Sequence, residues 1–401
     1  MIQNKLFDDF DGEDEDDLNQ IVESFEQAVV WGTDWTTETI MSQLLKENID
    51  LQPKFQRRDA WNVRAKSRFI ESLLLGLPIP QIILAEKKEQ KGKYIVIDGK
   101  QRLLTIRNFF SKNDADLFKP LRLTGLTILK RLNGKKYIDI LTDPDFNQLV
   151  TQLQNQPIRT TVIKNWPNEE FLFTVFLRLN TGSIKLSPQE LRQALHPGPF
   201  IDYADNFSIE STSIKKMLGL ESPDFRMRDV EIVIRYFTYK RFIESYDGNL
   251  KSAFDNTVKI LNNEWNLINE QIVDESKELD NGIEFTIKLF GEKDAFSKWT
   301  GNAYQTNFNR AVFDIMVYYF SKQEIREKTI GKENEIVSAF KILCDTDKDF
   351  LTSFEHTTKS VQYTAKRFNT WGEKLAETLG FKFMIPTLLE NKLKLKESNN
   401  G

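Results

Sequence analysis

The stretch KYIVIDGKQR, residues 93–102, limits the possible folds more than any other part of the chain. A short apolar run with β-branched residues reads as a buried strand, and Asp98-Gly99 ends it with a pair suited to a tight turn. Helical spacing resumes at once over residues 100–111, with Leu103, Ile106, Phe109 and Phe110 on one stripe. Strand, turn and helix are therefore contiguous, and a sheet with a helix packed directly on it must follow. QIILA, residues 81–85, is a second short apolar run, and the polar KKEQKG that separates the two reads as a hairpin connection.

This junction has chemical consequences as well. The first N–H groups of a helix lack internal partners and its N-terminus carries partial positive charge, so anions are favoured there. Gly99 lets a phosphate approach the backbone, Arg102 can grip its oxygens in pairs, Gln101 can orient a water and Asp98 can hold a divalent cation that bridges phosphates. The same residues also read as ordinary helix-start chemistry, with Asp98 as N-cap, Gly99 as turn residue, and Gln101 and Arg102 facing solvent.

The flanking segments carry further signals. TTETIMSQLLKE opens with threonines able to cap and carries Ile40, Leu44 and Leu45 at helical spacing. The extended PKFQRRDAW, residues 53–61, supplies Gln56, Arg57 and Arg58, which can lie beside a polyphosphate or pair with nearby acids. A helix over 63–76 follows, with Phe69, Ile70, Leu73, Leu74 and Leu77 on one stripe, and Gly76, Pro78 and Pro80 stop it. PIRTTVI, residues 157–163, reads as a strand before the helix EEFLFTVFLRLN, which Asn180-Thr181-Gly182 would end. LSPQELRQAL then starts another helix, with Ser187 as N-cap, Pro188 at its first position and Glu190 three residues after the cap.

Beyond about residue 200 strand signals largely vanish. Amphipathic stretches cover 229–243, 250–268, 280–290, 308–321, 334–344 and 360–378, so this half is expected to be all-helical, with NKLKLKESNNG as a frayed end. A chain of 401 residues exceeds a usual single core. The expected organisation is an acidic tail and lead-in helix over 1–34, an α+β domain over 35–200, a helical domain over 201–390 and a tail over 391–401.

Four motifs, in this order, resemble those of the N-terminal domain family of GmrSD-type restriction enzymes. They appear here as QRRDAW followed by IESLLLGLPIP, then IDGKQR, then RLNTGSIKLSPQELR, across residues 35–200. Three helical segments, RMRDVEIVIRYF (226–237), NRAVFDIMVYYF (309–320) and TTKSVQYTAKRF (357–368), are similar to the same family with less distinctive motifs. The resemblance implies an α+β, ParB/sulfiredoxin-like domain with a small mixed sheet, followed by a helical domain. It implies a nucleoside triphosphate held with Mg²⁺, hydrolysed in some members. Carried over, Asp98, Gln101 and Arg102 would serve catalysis, Asp98 would hold the metal, and Gly99, Lys100, Gln56, Arg57 and Asn180 would contact the nucleotide. Lys100 departs from the family's DGQQR pattern, where an amide stands. An ammonium can grip phosphate as a point charge but cannot orient a water, so binding is expected before turnover.

Composition narrows the rest. Only His196 and His356 are present and Cys344 is the single cysteine, too few for a Cys/His zinc site or the histidine cluster of an HNH nuclease. His196, in HPGPF, reads as a turn residue. In the restriction systems the nucleotide domain works with such a nuclease, so a partner nuclease or other defence protein is implied. The net charge of −4 conceals a run at residues 8–17, DDFDGEDEDD, with eight carboxylates. Without residues 1–17 the body stands at about +3, which neither demands nor excludes DNA. A lone cysteine, the lack of a basic then apolar leader and the lack of a long apolar run lead to a cytoplasmic expectation with no membrane span. Two further readings stay open: the phosphate cradle meets a DNA backbone, or Asp98 and Glu190 form a metal-dependent nuclease. Lys359, Tyr363, Lys366, Arg367 and Trp371 could line a nucleic-acid face or simply belong to an ordinary amphipathic helix.

Overall fold

The computed structural model describes residues 28–51, 60–111, 118–179, 187–355 and 360–399. They divide into two compact units, one ending at Leu195 and one beginning at His196. The first contains, in chain order, β1 (Val29–Thr36), α1 (Thr37–Leu45), α2 (Val63–Leu74), β2 (Ile82–Lys87), β3 (Gln90–Asp98), α3 (Lys100–Phe110), α4 (Tyr137–Leu141), α5 (Asn147–Asn155), β4 (Pro157–Lys164), α6 (Glu169–Leu179) and α7 (Pro188–Leu195). Its strands form one four-stranded mixed sheet in the order β1-β4-β2-β3. β4 runs antiparallel to β1 and parallel to β2, and β2 runs antiparallel to β3.

β2 organises the core because successive side chains of a strand point to opposite faces. Ile82 and Leu84 join one apolar cluster with Ile40, Leu73, Leu103 and Ile106, whereas Ile83 and Ala85 join another with Ile95, Ile97, Phe171 and Leu172. Helices cover both faces, so the strand reads as an unbroken apolar run rather than an alternation. The hairpin turns on Lys88 and Glu89 alone, with Lys87 facing Gln90. Lys87 and Gln90 of KKEQKG therefore belong to the ladder, a register irregularity follows between Glu86 and Lys87, and the polarity of the stretch reflects a hairpin end outside the core. At the other end the register shifts between Ile83, which faces Asp98, and Leu84, which faces Val96. Ile97 is thus an extra residue, a bulge immediately before the Asp98-Gly99 turn.

Local side-chain bonds fix the helix ends. Asn62 Oδ1 accepts the Ala65 N–H at 2.9 Å to cap α2. α7 begins with the reciprocal pair its sequence spacing predicts: Ser187 Oγ accepts the Glu190 N–H at 3.1 Å and Glu190 Oε2 accepts the Ser187 N–H at 2.8 Å. Glu71, inside IESLLLGLPIP, is buried and accepts the N–H groups of Thr127 at 3.2 Å, Ile128 at 2.8 Å and Leu129 at 2.7 Å. Leu77 does not share the α2 stripe; the helix ends at Leu74, Gly76 turns the chain at φ +69°, and Leu77 is exposed. Val29–Asp34, grouped by sequence with a lead-in helix, lies in β1.

The second unit contains α8 (Pro199–Glu210), α9 (Thr212–Leu218), α10 (Arg228–Phe242), α11 (Leu250–Phe290), α12 (Arg310–Phe320), α13 (Gln323–Thr329), α14 (Glu333–Thr346), α15 (Lys348–Thr352), α16 (Val361–Leu379), β5 (Met384–Leu389) and β6 (Lys392–Glu397). Two of its features correct the sequence reading. The stretches 250–268 and 280–290 are parts of one 41-residue helix, α11. The C-terminal residues expected to fray instead pair as a hairpin, from Met384 opposite Glu397 to Leu389 opposite Lys392. α11 and α12 approach closely at Gly282, where a Cβ would meet the Ser321 nitrogen at 2.9 Å. α10, α12 and α16 converge on Asp314, which takes Arg235 Nε at 2.5 Å and lies 3.6 Å from Arg367 Nη2, while Arg310 Nε reaches Glu231 at 2.7 Å. Arg367 and Trp371 are wholly buried, so α16 turns these two to the core and not to nucleic acid, while Lys366 is partly exposed and pairs with Asp347 at 2.8 Å; Lys359 lies outside the described residues. Among the described residues no helix is long and apolar enough to cross a membrane.

Candidate functional site

The β3–α3 junction brings Asp98, Gly99, Lys100, Gln101 and Arg102 together at the edge of the sheet. Gly99 is the N-cap of α3 and adopts φ +98°, a left-handed conformation that disfavours side chains. A Cβ there would stand 3.1 Å from Arg102 Nη2 and 3.2 Å from Ile82 Cγ1, a tight fit that adds to the preference the backbone sets. Asp98 does not cap the helix interior. Its Oδ1 accepts the adjacent Gly99 N–H at 2.7 Å, and its Oδ2 takes Arg102 Nη2 at 3.0 Å.

Arg102 folds back across the turn. Its Nη2 also donates to the Gln81 carbonyl at 2.8 Å, which ties α3 to the residue that precedes β2. Its Nε is buried and has no acceptor among the described residues. An unsatisfied buried donor on a guanidinium costs on the order of 1–3 kcal/mol. Gln101 lies half-buried on the first turn of the helix.

Lys100 is directed elsewhere. Its ammonium meets Glu190 Oε1 at 2.5 Å, and both side chains are only 5% exposed. The same carboxylate closes the α7 capping box, so one glutamate joins the starts of α3 and α7. Next to it Gln189 is also buried; its Oε1 accepts from Arg192 Nη1 at 2.8 Å, and its Nε2 has no acceptor among the described residues. Sequence reasoning named Glu190 as a capping residue and a candidate carboxylate but missed its pairing with Lys100. The usable signal was the appearance of a lysine where the resemblance expects an amide, since a buried ammonium requires an anion.

Gln56, Arg57 and Asn180 lie outside the described residues, so the geometry speaks only for Asp98 to Arg102. Among the described residues no three His, Cys, Asp or Glu side chains gather as a metal site. Asp98 and Glu190 do not form a free carboxylate pair, because each already holds a cationic side chain. His196 is buried with Nε2 3.9 Å from Asp255 Oδ1, in keeping with a structural turn residue.

Fold and site together define a mixed-sheet α+β domain whose polar cluster sits at a strand–glycine–helix junction. Residues 41–197 match the family model of the GmrSD restriction endonuclease, N-terminal domain, so this part of the chain is similar to that domain. No curated protein and no solved structure matches the chain.

Proposed function

We propose that the β3–α3 junction binds a nucleoside triphosphate together with Mg²⁺, and that the chain acts as the nucleotide-responsive component of a restriction system whose cutting is done by a separate nuclease. The observation that carries this reading is the buried Nε of Arg102, a donor without an acceptor among the described residues, beside a glycine at φ +98° at the N-cap of α3. A phosphate oxygen at the turn would satisfy that donor and meet the positive end of α3.

The donor set fits a magnesium ion that takes most of its ligands from the phosphates and water. Asp98 is a single carboxylate, and Mg²⁺ at phosphate sites commonly uses one or two. Binding would have Asp98 exchange its bond to Arg102 for the cation, which frees Nη2 for a phosphate oxygen. When bound, the ion would neutralise phosphate charge. Gln101, on the first turn, would be the amide that orients a water. Lys100 contributes chiefly by neutralising Glu190, and so holds the first turn of α3 in place.

Calorimetric titration with each nucleoside triphosphate, with and without Mg²⁺, tests the reading. Arg102→Ala should weaken binding at least about tenfold, the value of one charge-assisted contact, beyond the modest loss of melting temperature that follows from removing its bonds to Asp98 and the Gln81 carbonyl. A variant that melts far earlier yet binds normally would make Arg102 a structural residue and misplace the site. If the ligand is instead a DNA backbone, binding will ignore Mg²⁺ and fall steeply with salt.

A further inference from the structure

A cavity lies at the end of β3 opposite the junction. It has a volume of about 320 Å³ and opens between the C-terminal end of α1 with the residues that follow it, the start of the β2–β3 hairpin, and α3. This volume falls at the lower end of the range for small-molecule pockets. Five residues separate Lys93, on its wall, from Asp98 at the junction, about 16 Å along an extended strand.

The lining is of two kinds. Leu44, Ile49, Leu51 and Phe118 supply apolar surface. Lys87, Lys93 and Arg107 bring three cationic groups from three separate elements, against the carboxylates of Glu47 and Asp50. Lys87 and Asp50 pair at 3.4 Å. Lys93 is anchored by neutral groups, the carbonyl oxygens of Glu47 at 3.1 Å and Lys46 at 3.5 Å, which fix its position without cancelling its charge. The Arg107 guanidinium stands 4.6 Å over the Phe118 ring, so that a charged plane and an aromatic wall are joined in one unit. Positive charge held beside an apolar wall suits a ligand with an anionic head and a flat, apolar body.

We infer that this cavity binds a small organic anion with such a body, of the size of a nucleoside monophosphate or an aromatic carboxylate, independently of the β3–α3 junction. Both ligand sources share one chemistry, an anion between Lys87, Lys93 and Arg107 with a ring against the apolar wall. The inference does not rest on nucleotide binding at the junction.

The experiment is calorimetric titration of the full chain with adenosine 5′-monophosphate and, separately, with 4-nitrobenzoate. It is run on the wild type and on Lys93→Glu, Lys87→Glu and Arg102→Ala, each checked by thermal melting. At least one anion should saturate both the wild type and Arg102→Ala, and Lys93→Glu should weaken it by about tenfold or more. Lys87→Glu, at the hairpin end, should act in the same direction and decides the matter if Lys93→Glu does not fold. Saturation by the phosphate alone, or by both anions, defines the head group that the site accepts. Absence of binding by either anion at millimolar concentration would overturn the inference. So would binding that Arg102→Ala abolishes and the two lysine variants leave intact, since that would locate the anion at the junction.

Discussion

Replacing Lys100 with glutamine restores the family's DGQQR pattern, yet the structure leads to a loss of stability. Lys100 Nζ and Glu190 Oε1 stand 2.5 Å apart with 5% of either side chain exposed, so removal of the ammonium leaves a carboxylate in a poorly hydrated place. Breaking a buried pair from one side costs about 3–5 kcal/mol. Two features reduce that figure here. Glu190 Oε2 keeps the Ser187 N–H at 2.8 Å, and the incoming amide can itself donate to Oε1. The expected cost is therefore about 2–3 kcal/mol. Glu190→Gln alone should cost a similar amount, because it strands the ammonium. The double variant replaces two charges with two amides that can bond to each other, and should return to within about 1 kcal/mol of the wild type.

Amide hydrogen exchange over α3 and α7 suits the measurement, because it reports opening of the first unit separately from the second. Each single variant should lose protection by roughly 30- to 140-fold, and the double variant should recover most of it. A double-mutant cycle that closes additively, with a coupling below about 0.5 kcal/mol, would refute the reasoning. Lys100 and Glu190 would then not be partners in solution, and the link between the two helix starts would fall.

Glu71 provides a pH test. Burial works to raise its carboxyl, but the backbone N–H groups of Leu129, Ile128 and Thr127 and the Thr127 hydroxyl outweigh it and hold the group below its ordinary value of 4.5. A depressed folded value means that the stabilisation is present above pH 4.5 and is lost as pH falls through the folded value. Glu71→Gln should cost about 2–3 kcal/mol at pH 7 and flatten the acid limb of the stability curve, read by urea unfolding from pH 7 to 3. In the second unit, Asp314→Asn should cost at least about 3 kcal/mol, because it leaves Arg235 and Arg367 buried together without their carboxylate. Thermal melting and hydrogen exchange of α10, α12 and α16 check this; an unchanged melting point would mean that those arginines find other anions.

Much of the first unit was legible because its strands and helices pack apolar stripes of the right period against one core. The capping box at Ser187 and Glu190 is a local pattern three residues long, and it formed as written. β1 escaped because Val29, Val30 and Trp31 are exposed at a sheet edge, so no buried alternation marks them as a strand. α11 was divided because its middle is polar and largely exposed, which removes the apolar stripe without ending the helix. β6 alternates leucine with lysine, a true strand signal, but its charge suggested a loose tail. At the candidate site the run from Asp98 to Arg102 was visible as chemistry. Its electrostatics were not, because Lys100 and its partner are 90 residues apart and only the folded chain brings them together.

The order of the sheet also has a consequence in time. β4 lies between β1 and β2, so the central place in the sheet is filled by the last of its strands to be made. A growing chain can form the β2–β3 hairpin early, but β1 must wait for the partners that extend from Pro157 to Lys164. Until then Val29 to Trp31 have neither an edge to join nor a face to cover. Contacts this distant in sequence are slow to form, and unpaired strands are sites of misassociation. During synthesis the first unit is therefore exposed to its greatest risk just before β4 leaves the ribosome, and cells making truncated chains that stop short of residue 157 should accumulate aggregated rather than partly folded protein.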